Sequence, residues 1–124
     1  MTKRVLLVED EANIVVSLTF LLERAGFEVE SEMNGRSALA RVLEMPPDVM
    51  VLDVMLPGLD GFEVLRQLRA DPRGEKLPVL MLTAKGQRED RDNVLAVGAD
   101  RFISKPFSNA EVIDTVRQLA GVDP

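Results

Sequence analysis

Four residue types are missing from the 124-residue sequence: cysteine, histidine, tryptophan and tyrosine. The absence of cysteine excludes disulfides, thiolate catalysis and cysteine metal sites, and it fits a reducing compartment. The absence of histidine excludes imidazole acid–base catalysis and histidine-bound zinc within this chain. Positive charge is also scarce: 15 Lys and Arg stand against 21 Asp and Glu, a net charge of −6. A nucleic-acid binder carries a basic stripe to neutralise phosphate, so nucleic acid is not an expected partner of this domain alone. No apolar run is long enough to span a bilayer, and no membrane association is expected. The chain enters its first apolar run within a few residues of Met1, so no signal peptide is expected, and a cytoplasmic protein is. Repeats, low-complexity tracts and linkers are lacking too. Residues 1–124 therefore read as one domain, long enough to bury about two thirds of its unfolded surface.

What is present is a set of short apolar runs, each ending in a polar group. Val49-Met50-Val51-Leu52 runs straight into Asp53, and Met55-Leu56-Pro57-Gly58 follows shortly after. A short apolar run bounded by turn residues reads as a strand buried on both faces, so Asp53 stands where a buried strand ends. Val5-Leu6-Leu7-Val8 reads the same way and ends in Glu9-Asp10-Glu11. A solvated turn with helix-capping acids is the plain alternative for those three carboxylates. Val79-Leu80-Met81-Leu82 ends at Thr83-Ala84, and the short strand Arg101-Phe102-Ile103-Ser104 ends at Lys105-Pro106. The alternating Phe27-Glu28-Val29-Glu30 suits a strand near a sheet edge.

Helices are expected between these runs. From Ala12 to Ala25, the residues Ile14, Leu18, Leu21, Leu22 and Ala25 share one stripe, and Gly26 stops the helix. Val16 and Phe20 fall on the opposite side as an outward apolar pair. Asn34-Gly35 opens a helix carrying Ala38, Leu39 and Val42, which Pro46-Pro47 ends. Asp60 with Glu63, and Ser108 with Glu111, have capping-box spacing. The helices they open turn Phe62, Leu65 and Leu68, and Val112, Val116 and Leu119, inward. A polar helix is expected from about Gln87 to Val97, stopping at Gly98. Five strand–helix alternations imply an α/β fold, a five-stranded parallel sheet with helices on both faces. Right-handed crossovers leave few topologies, among them the doubly wound order 2-1-3-4-5. In that order Asp10 and Asp53 face each other across the switch-point crevice, and Thr83 and Lys105 end their strands on the same edge.

Clustered carboxylates raise one another's pKa unless a cation joins them. Mg2+ suits Glu9, Asp10 and Asp53, with the backbone carbonyl of Met55 as a further oxygen, because this hard cation takes one or two carboxylates, waters and phosphate oxygens. An Asp carboxylate can also be a nucleophile that forms an aspartyl phosphate. Phosphoryl transfer then needs mainly positioning and charge neutralisation. Lys105 can neutralise phosphoryl oxygens, and the Thr83 hydroxyl can donate to one of them.

Taken together these motifs resemble the receiver domain of two-component response regulators, especially the stand-alone chemotaxis-type form. The resemblance runs over nearly the whole chain. It rests on Glu9-Asp10, Asp53 with Met55-Leu56-Pro57-Gly58-Leu59-Asp60-Gly61 after it, Thr83-Ala84, Gly98-Ala99-Asp100 and Lys105-Pro106-Phe107, in order and at these spacings. It implies a single-domain, flavodoxin-like fold. It implies that Asp53 takes a phosphoryl group from a phosphohistidine on a sensor histidine kinase or histidine phosphotransfer protein. Mg2+ is implied at Glu9, Asp10, Asp53 and the Met55 carbonyl, with Lys105 pairing with the phosphoryl group and Thr83 hydrogen-bonding it. The missing histidine agrees, since the donor is then another molecule. A cis Lys105–Pro106 bond is implied as well. So is a protein that catalyses its own phosphorylation and slow autodephosphorylation, turns over no separate substrate, and acts on a downstream protein target that the sequence does not name. Phe102 stands where the family often has Tyr; it keeps the ring and loses the hydroxyl. Thr83 and Phe102 are the expected switch. Thr83 moves toward the phosphoryl group, Phe102 turns into the space left behind, and the face built from the helix expected over Gln87–Val97, the fifth strand and the last helix changes shape. Plain core packing is the alternative for Phe102. Val16 and Phe20 lie along the helix by which such receivers meet phosphohistidine partners.

Three readings of other kinds compete. A degenerate receiver would be an unphosphorylated interaction module, yet each phosphorylation residue is retained. A flavin-binding electron carrier needs a phosphate loop of Gly, Ser and Thr after the first strand, where this chain has Glu9-Asp10-Glu11, and it has no Trp or Tyr to stack on the ring. A hydrolase with an Asp nucleophile commonly has a second acid two residues on, where Met55 stands here. The sequence shows no output domain after Val122-Asp123-Pro124, so the output is expected to be protein contact, or the chain to be part of a longer one.

Overall fold

A computed structural model of the chain describes residues 2–83 and 96–122. Its elements are β1 (Arg4–Val8), α1 (Ala12–Arg24), β2 (Glu28–Glu32), α2 (Gly35–Glu44), β3 (Val49–Asp53), α3 (Gly61–Arg69), β4 (Val79–Thr83), β5 (Arg101–Ser104) and α4 (Asn109–Ala120). All strand pairs are parallel, and the sheet order is β2-β1-β3-β4-β5, as the strand–helix alternation predicts.

Apart from Arg4 at the start of β1 and Asp53 and Thr83 at the ends of β3 and β4, the three inner strands are apolar, because helices cover both faces of a parallel sheet. Alternate residues then divide between two clusters. Leu6, Val8, Met50, Leu52 and Met81 pack with Ala38 and Val42 of α2 and with Val64, Leu65 and Leu68 of α3. Val5, Leu7, Val49, Val51, Leu80 and Leu82 pack with Leu18 and Leu22 of α1 and with Val112, Ile113 and Val116 of α4. Full burial of a Val, Leu or Met side chain stabilises by roughly 1.5–3 kcal/mol. These two layers fix the helices to the sheet.

Boundaries differ from expectation where tertiary packing decides. The edge strand starts at Glu28 and runs to Glu32. Phe27 precedes it and is buried in the α1–α4 cluster, because its ring fills the space under the end of α1 rather than pairing in the ladder. Each expected capping box is half made. Asp60 Oδ1 accepts from the Glu63 N–H at 2.9 Å, but the Glu63 carboxylate meets the Arg66 guanidinium and the Gln67 amide. A guanidinium one turn on is a stronger partner than a backbone amide. Asn34 Oδ1 accepts from the Ser37 N–H at 2.9 Å and Ser108 Oγ from the Glu111 N–H at 3.1 Å. Of the helix expected over Gln87–Val97, only Ala96 and Val97 fall among the described residues, and both are helical. Gly98 follows with φ of 109°, a left-handed conformation that favours glycine. Ala84 also lies outside the described residues.

Two charged arrangements tie the periphery together. On the sheet edge, Arg4 of β1 meets Glu30 of β2 at 2.7 Å, and Arg41 of α2 meets Glu30 at 2.6 Å and Glu32 at 2.5 Å. The hydrogen bond from Arg4 is foremost in holding the Glu30 carboxyl below its usual range. At the end of α3, Arg69 donates to the carbonyls of Gly74, Leu77 and Gly98 and to Asp100 Oδ2.

Candidate functional site

Four parallel strands deliver polar residues to one edge of the sheet, the edge where open α/β folds place ligands. β1 runs into Glu9 and Asp10, β3 ends on Asp53, β4 ends on Thr83, and β5 leads into Lys105. Glu9, Asp53 and Thr83 are buried, while Asp10 is exposed. One carboxylate oxygen from each of Glu9, Asp10 and Asp53 lies within 4.8 Å of the others. The sequence-predicted acids are thus brought together.

Asp53 is held on both oxygens. Its Oδ1 accepts from the Met55 N–H at 3.0 Å, and its Oδ2 accepts from Lys105 Nζ at 2.8 Å. Gly61 N–H donates to the Val54 carbonyl at 3.0 Å, which seats the start of α3 against the backbone just beyond Asp53. Lys105 arrives from the opposite side of the cleft. Its backbone N–H donates to the Thr83 carbonyl at 2.8 Å, and a cis Lys105–Pro106 bond follows, as the resemblance implies. Thr83 Oγ1 donates to Ser104 Oγ at 3.3 Å. Phe102, two residues before Ser104, is half-buried against the cluster that α2 and α3 share with the sheet.

The electrostatics follow from crowding. Glu9 Oε2 accepts from the N–H groups of Asp10 and Glu11 at 3.0 and 3.2 Å. Its Oε1 is buried, accepts no hydrogen bond among the described residues, and meets Lys105 Nζ as an ion pair at 3.2 Å. Burial pushes the Glu9 carboxyl up and the adjacent Asp53 pushes it further; the Glu11 backbone N–H and then Lys105 only partly oppose this, leaving it at about 7. Burial pulls the Lys105 ammonium down, but Asp53 and then Glu9 outweigh burial and raise it above the ordinary lysine value. A buried carboxylate oxygen with no hydrogen bond, in a cluster of acids short of positive charge, is a donor set that a hard divalent cation completes. The residues present therefore fit Mg2+.

Two participants escape sequence reasoning. Ser104 is the partner of Thr83, and the only signal for it is register: the two residues face each other across β4 and β5. Glu11 reads from sequence as a turn or capping acid, but its Oε1 lies 3.3 Å from Lys105 Nζ. Val16 and Phe20 point outward as expected, 69% and 57% exposed, and the Arg24 guanidinium lies 5.7 Å from the centre of the Phe20 ring.

Comparison with known proteins agrees with this arrangement. The profile of the family described as response regulator receiver domain matches residues 5–117. The phosphate regulon transcriptional regulatory protein PhoB of Rhizobium meliloti is 43% identical over 119 residues, covering 96% of this chain and 52% of that protein. The chain spans about half the length of the curated relatives it matches. The structure of the chemotaxis protein CheY4 of Vibrio cholerae superposes with a TM-score of 0.88 at 33% identity, covering 96% of this chain and 99% of that one. The receiver domain of the sensor histidine kinase PA1611 from Pseudomonas aeruginosa, with a magnesium ion coordinated in its active site cleft, superposes with a TM-score of 0.84 at 30% identity and covers 98% of this chain and 99% of that one. Among the described residues no helix is long and apolar enough to cross a membrane.

Proposed function

The chain belongs to the response regulator receiver family, and from that premise we propose that it is a phosphoacceptor of a two-component system, with residues 1–124 acting as one cytoplasmic receiver domain. The observation that carries this reading is the buried Asp53 carboxylate, paired with Lys105 Nζ at 2.8 Å inside a cluster of three acids. An Asp53 oxygen attacks the phosphorus of a phosphohistidine on a sensor histidine kinase or histidine phosphotransfer protein. The P–O bond forms as the P–N bond breaks, and the electron pair leaves with the imidazole, which takes up a proton. This chain holds no histidine, so the donor is another protein. Glu9, Asp10, Asp53 and the Met55 carbonyl would hold Mg2+, which when bound neutralises charge on the phosphoryl oxygens. The magnesium in the active site cleft of the Pseudomonas aeruginosa receiver, a related domain, is consistent with a Mg2+ site in this cluster. Lys105 follows the charge from the carboxylate to the phosphoryl oxygens. With Mg2+ and a small acyl or amido phosphate, the protein is expected to gain one acid-stable, base-labile phosphoryl group, and Asp53→Asn to gain none. Equal labelling of that variant would remove Asp53 from the reaction.

The apolar pair on α1 supports a docking role toward the phosphohistidine donor. Val16→Glu combined with Phe20→Glu is expected to slow transfer from the donor protein by about tenfold or more, the scale of a lost interface hot spot, while labelling by the small donor stays as in wild type. Slowing with both donors would point to a damaged fold.

The read-out runs through Thr83 and Phe102. Thr83 leaves Ser104 to donate to the phosphoryl group, and Phe102 turns toward the vacated space, since packed interiors do not keep voids. The outer face of β5 and α4 then differs between the two states and is what a downstream protein reads. Structures with and without a beryllofluoride mimic on Asp53 check this: unchanged Thr83 and Phe102 rotamers would show that no such coupling exists.

A further inference from the structure

Glu11 has no part in the metal and phosphoryl roles above, yet its side chain reaches into the site. It occupies the N-cap position of α1 and makes no side-chain capping hydrogen bond. Its Oε1 instead meets Lys105 Nζ at 3.3 Å, a partner 94 residues away in sequence. Among the described residues, Lys105 Nζ thus has three carboxylate neighbours: Asp53 Oδ2 at 2.8 Å, Glu9 Oε1 at 3.2 Å and Glu11 Oε1 at 3.3 Å. An ammonium carries three N–H donors. Two of these carboxylates belong to the acid cluster that fits a divalent cation, and the third, Glu11, does not. Asp53 Oδ1 is tied to the Met55 amide, so the oxygen that Lys105 covers is the one left for a phosphorus or a metal to claim.

We propose that Glu11 is a positioning residue for Lys105: it seats the ammonium at the mouth of the cleft when a divalent cation claims Glu9 and Asp53, before a phosphoryl group arrives. The inference rests on the phosphoacceptor reading. Two cations crowded onto the same two carboxylates repel, and Lys105 relieves that repulsion by swinging on its flexible four-carbon stem. Glu11 and Lys105 line the same groove beside the cleft. The groove there has a volume of about 520 Å³, and Ile14, Ser17, Pro106 and Phe107 line it together with Glu11 and Lys105. The Glu11 side chain is 61% exposed. An ion pair in such a position is weak, so the seat receives the ammonium without trapping it, and Lys105 stays available to the phosphoryl oxygens.

A double-mutant cycle on Mg2+ binding to the full chain tests this. Binding is followed by the Mg2+-dependent rise in melting temperature and by the NMR shift of the Met55 amide. Glu11→Gln removes the charge and keeps the length, whereas Glu11→Asp keeps the charge and loses the reach. Each is expected to weaken Mg2+ binding by about two- to fivefold, the range an exposed pair supports. Lys105→Met is expected to tighten Mg2+ binding by removing the competing cation, and in that background both Glu11 substitutions should have no effect. Lys105→Gln replaces Lys105→Met if the latter does not fold. A Glu11→Asp variant that binds as wild type, or a Glu11→Gln effect of equal size with and without Lys105, would show that Glu11 is only background charge and overturn the proposal. Wild-type protein that binds no Mg2+ would overturn the phosphoacceptor reading and this inference with it. Intact wild-type binding with failure of the cycle would overturn this inference alone.

Discussion

One glycine sets the space beside Asp53, and another the space beside the loop that follows it. A Cβ on Gly61 would overlap the Asp53 carbonyl oxygen and lie 2.8 Å from the Val54 Cα. A Cβ on Gly35 would overlap the Leu59 carbonyl oxygen and lie 2.8 Å from Val64 Cγ2. Neither glycine has a positive φ, so room, not backbone conformation, demands them. Overpacking against backbone costs about 1–3 kcal/mol, and both Gly61→Ala and Gly35→Ala should lower the denaturant midpoint on that scale. They should part on function. Gly61→Ala displaces the backbone that carries Asp53 and is expected to slow phosphoryl labelling, whereas Gly35→Ala presses on the loop beyond and is expected to leave the labelling rate of the folded protein unchanged. Sequence reading singled out Asp53 because it ends an apolar strand and Lys105 because it follows the short strand Arg101–Ser104, both local signals. It gave Gly35 only as a helix opener and Glu11 only as a turn acid, because the atoms that define their roles belong to residues far along the chain.

At the scale of elements, the helix starts are not equivalent. Asn34 and Ser108 cap α2 and α4 with side-chain hydrogen bonds, while Glu11 stands at the N-cap of α1 without one. Asn34→Ala and Ser108→Ala should each destabilise by about 1 kcal/mol, seen as a shifted urea midpoint with unchanged slope. Glu11→Ala should leave that midpoint close to wild type, since it removes no cap. The caps were legible because Asn and Ser precede apolar periodicity at fixed spacing. The second half of each capping box was not, because spacing alone cannot tell that Glu63 has a guanidinium within reach. The start of β2 was misplaced by one residue for a similar reason: Phe27 fits an alternating pattern, but burial beneath α1 claims its ring.

Across the whole molecule the sheet order was legible, since apolar runs alternating with helical stripes under right-handed crossovers leave few arrangements. The Arg69 hub was not: one guanidinium gathers three carbonyls and a carboxylate from loops that sequence cannot place side by side. The charged edge of β2 has a consequence at this scale too. An outermost strand offers unpaired backbone groups that can template the growth of a neighbour's sheet. Here Glu28, Glu30 and Glu32 recur along that strand, and Arg4 and Arg41 clasp two of them. A second chain seeking to extend the sheet would have to prise these pairs apart and bring its own acids against the same row. The ladder therefore works as a guard against fibrillar stacking, keeping the protein dispersed at high concentration.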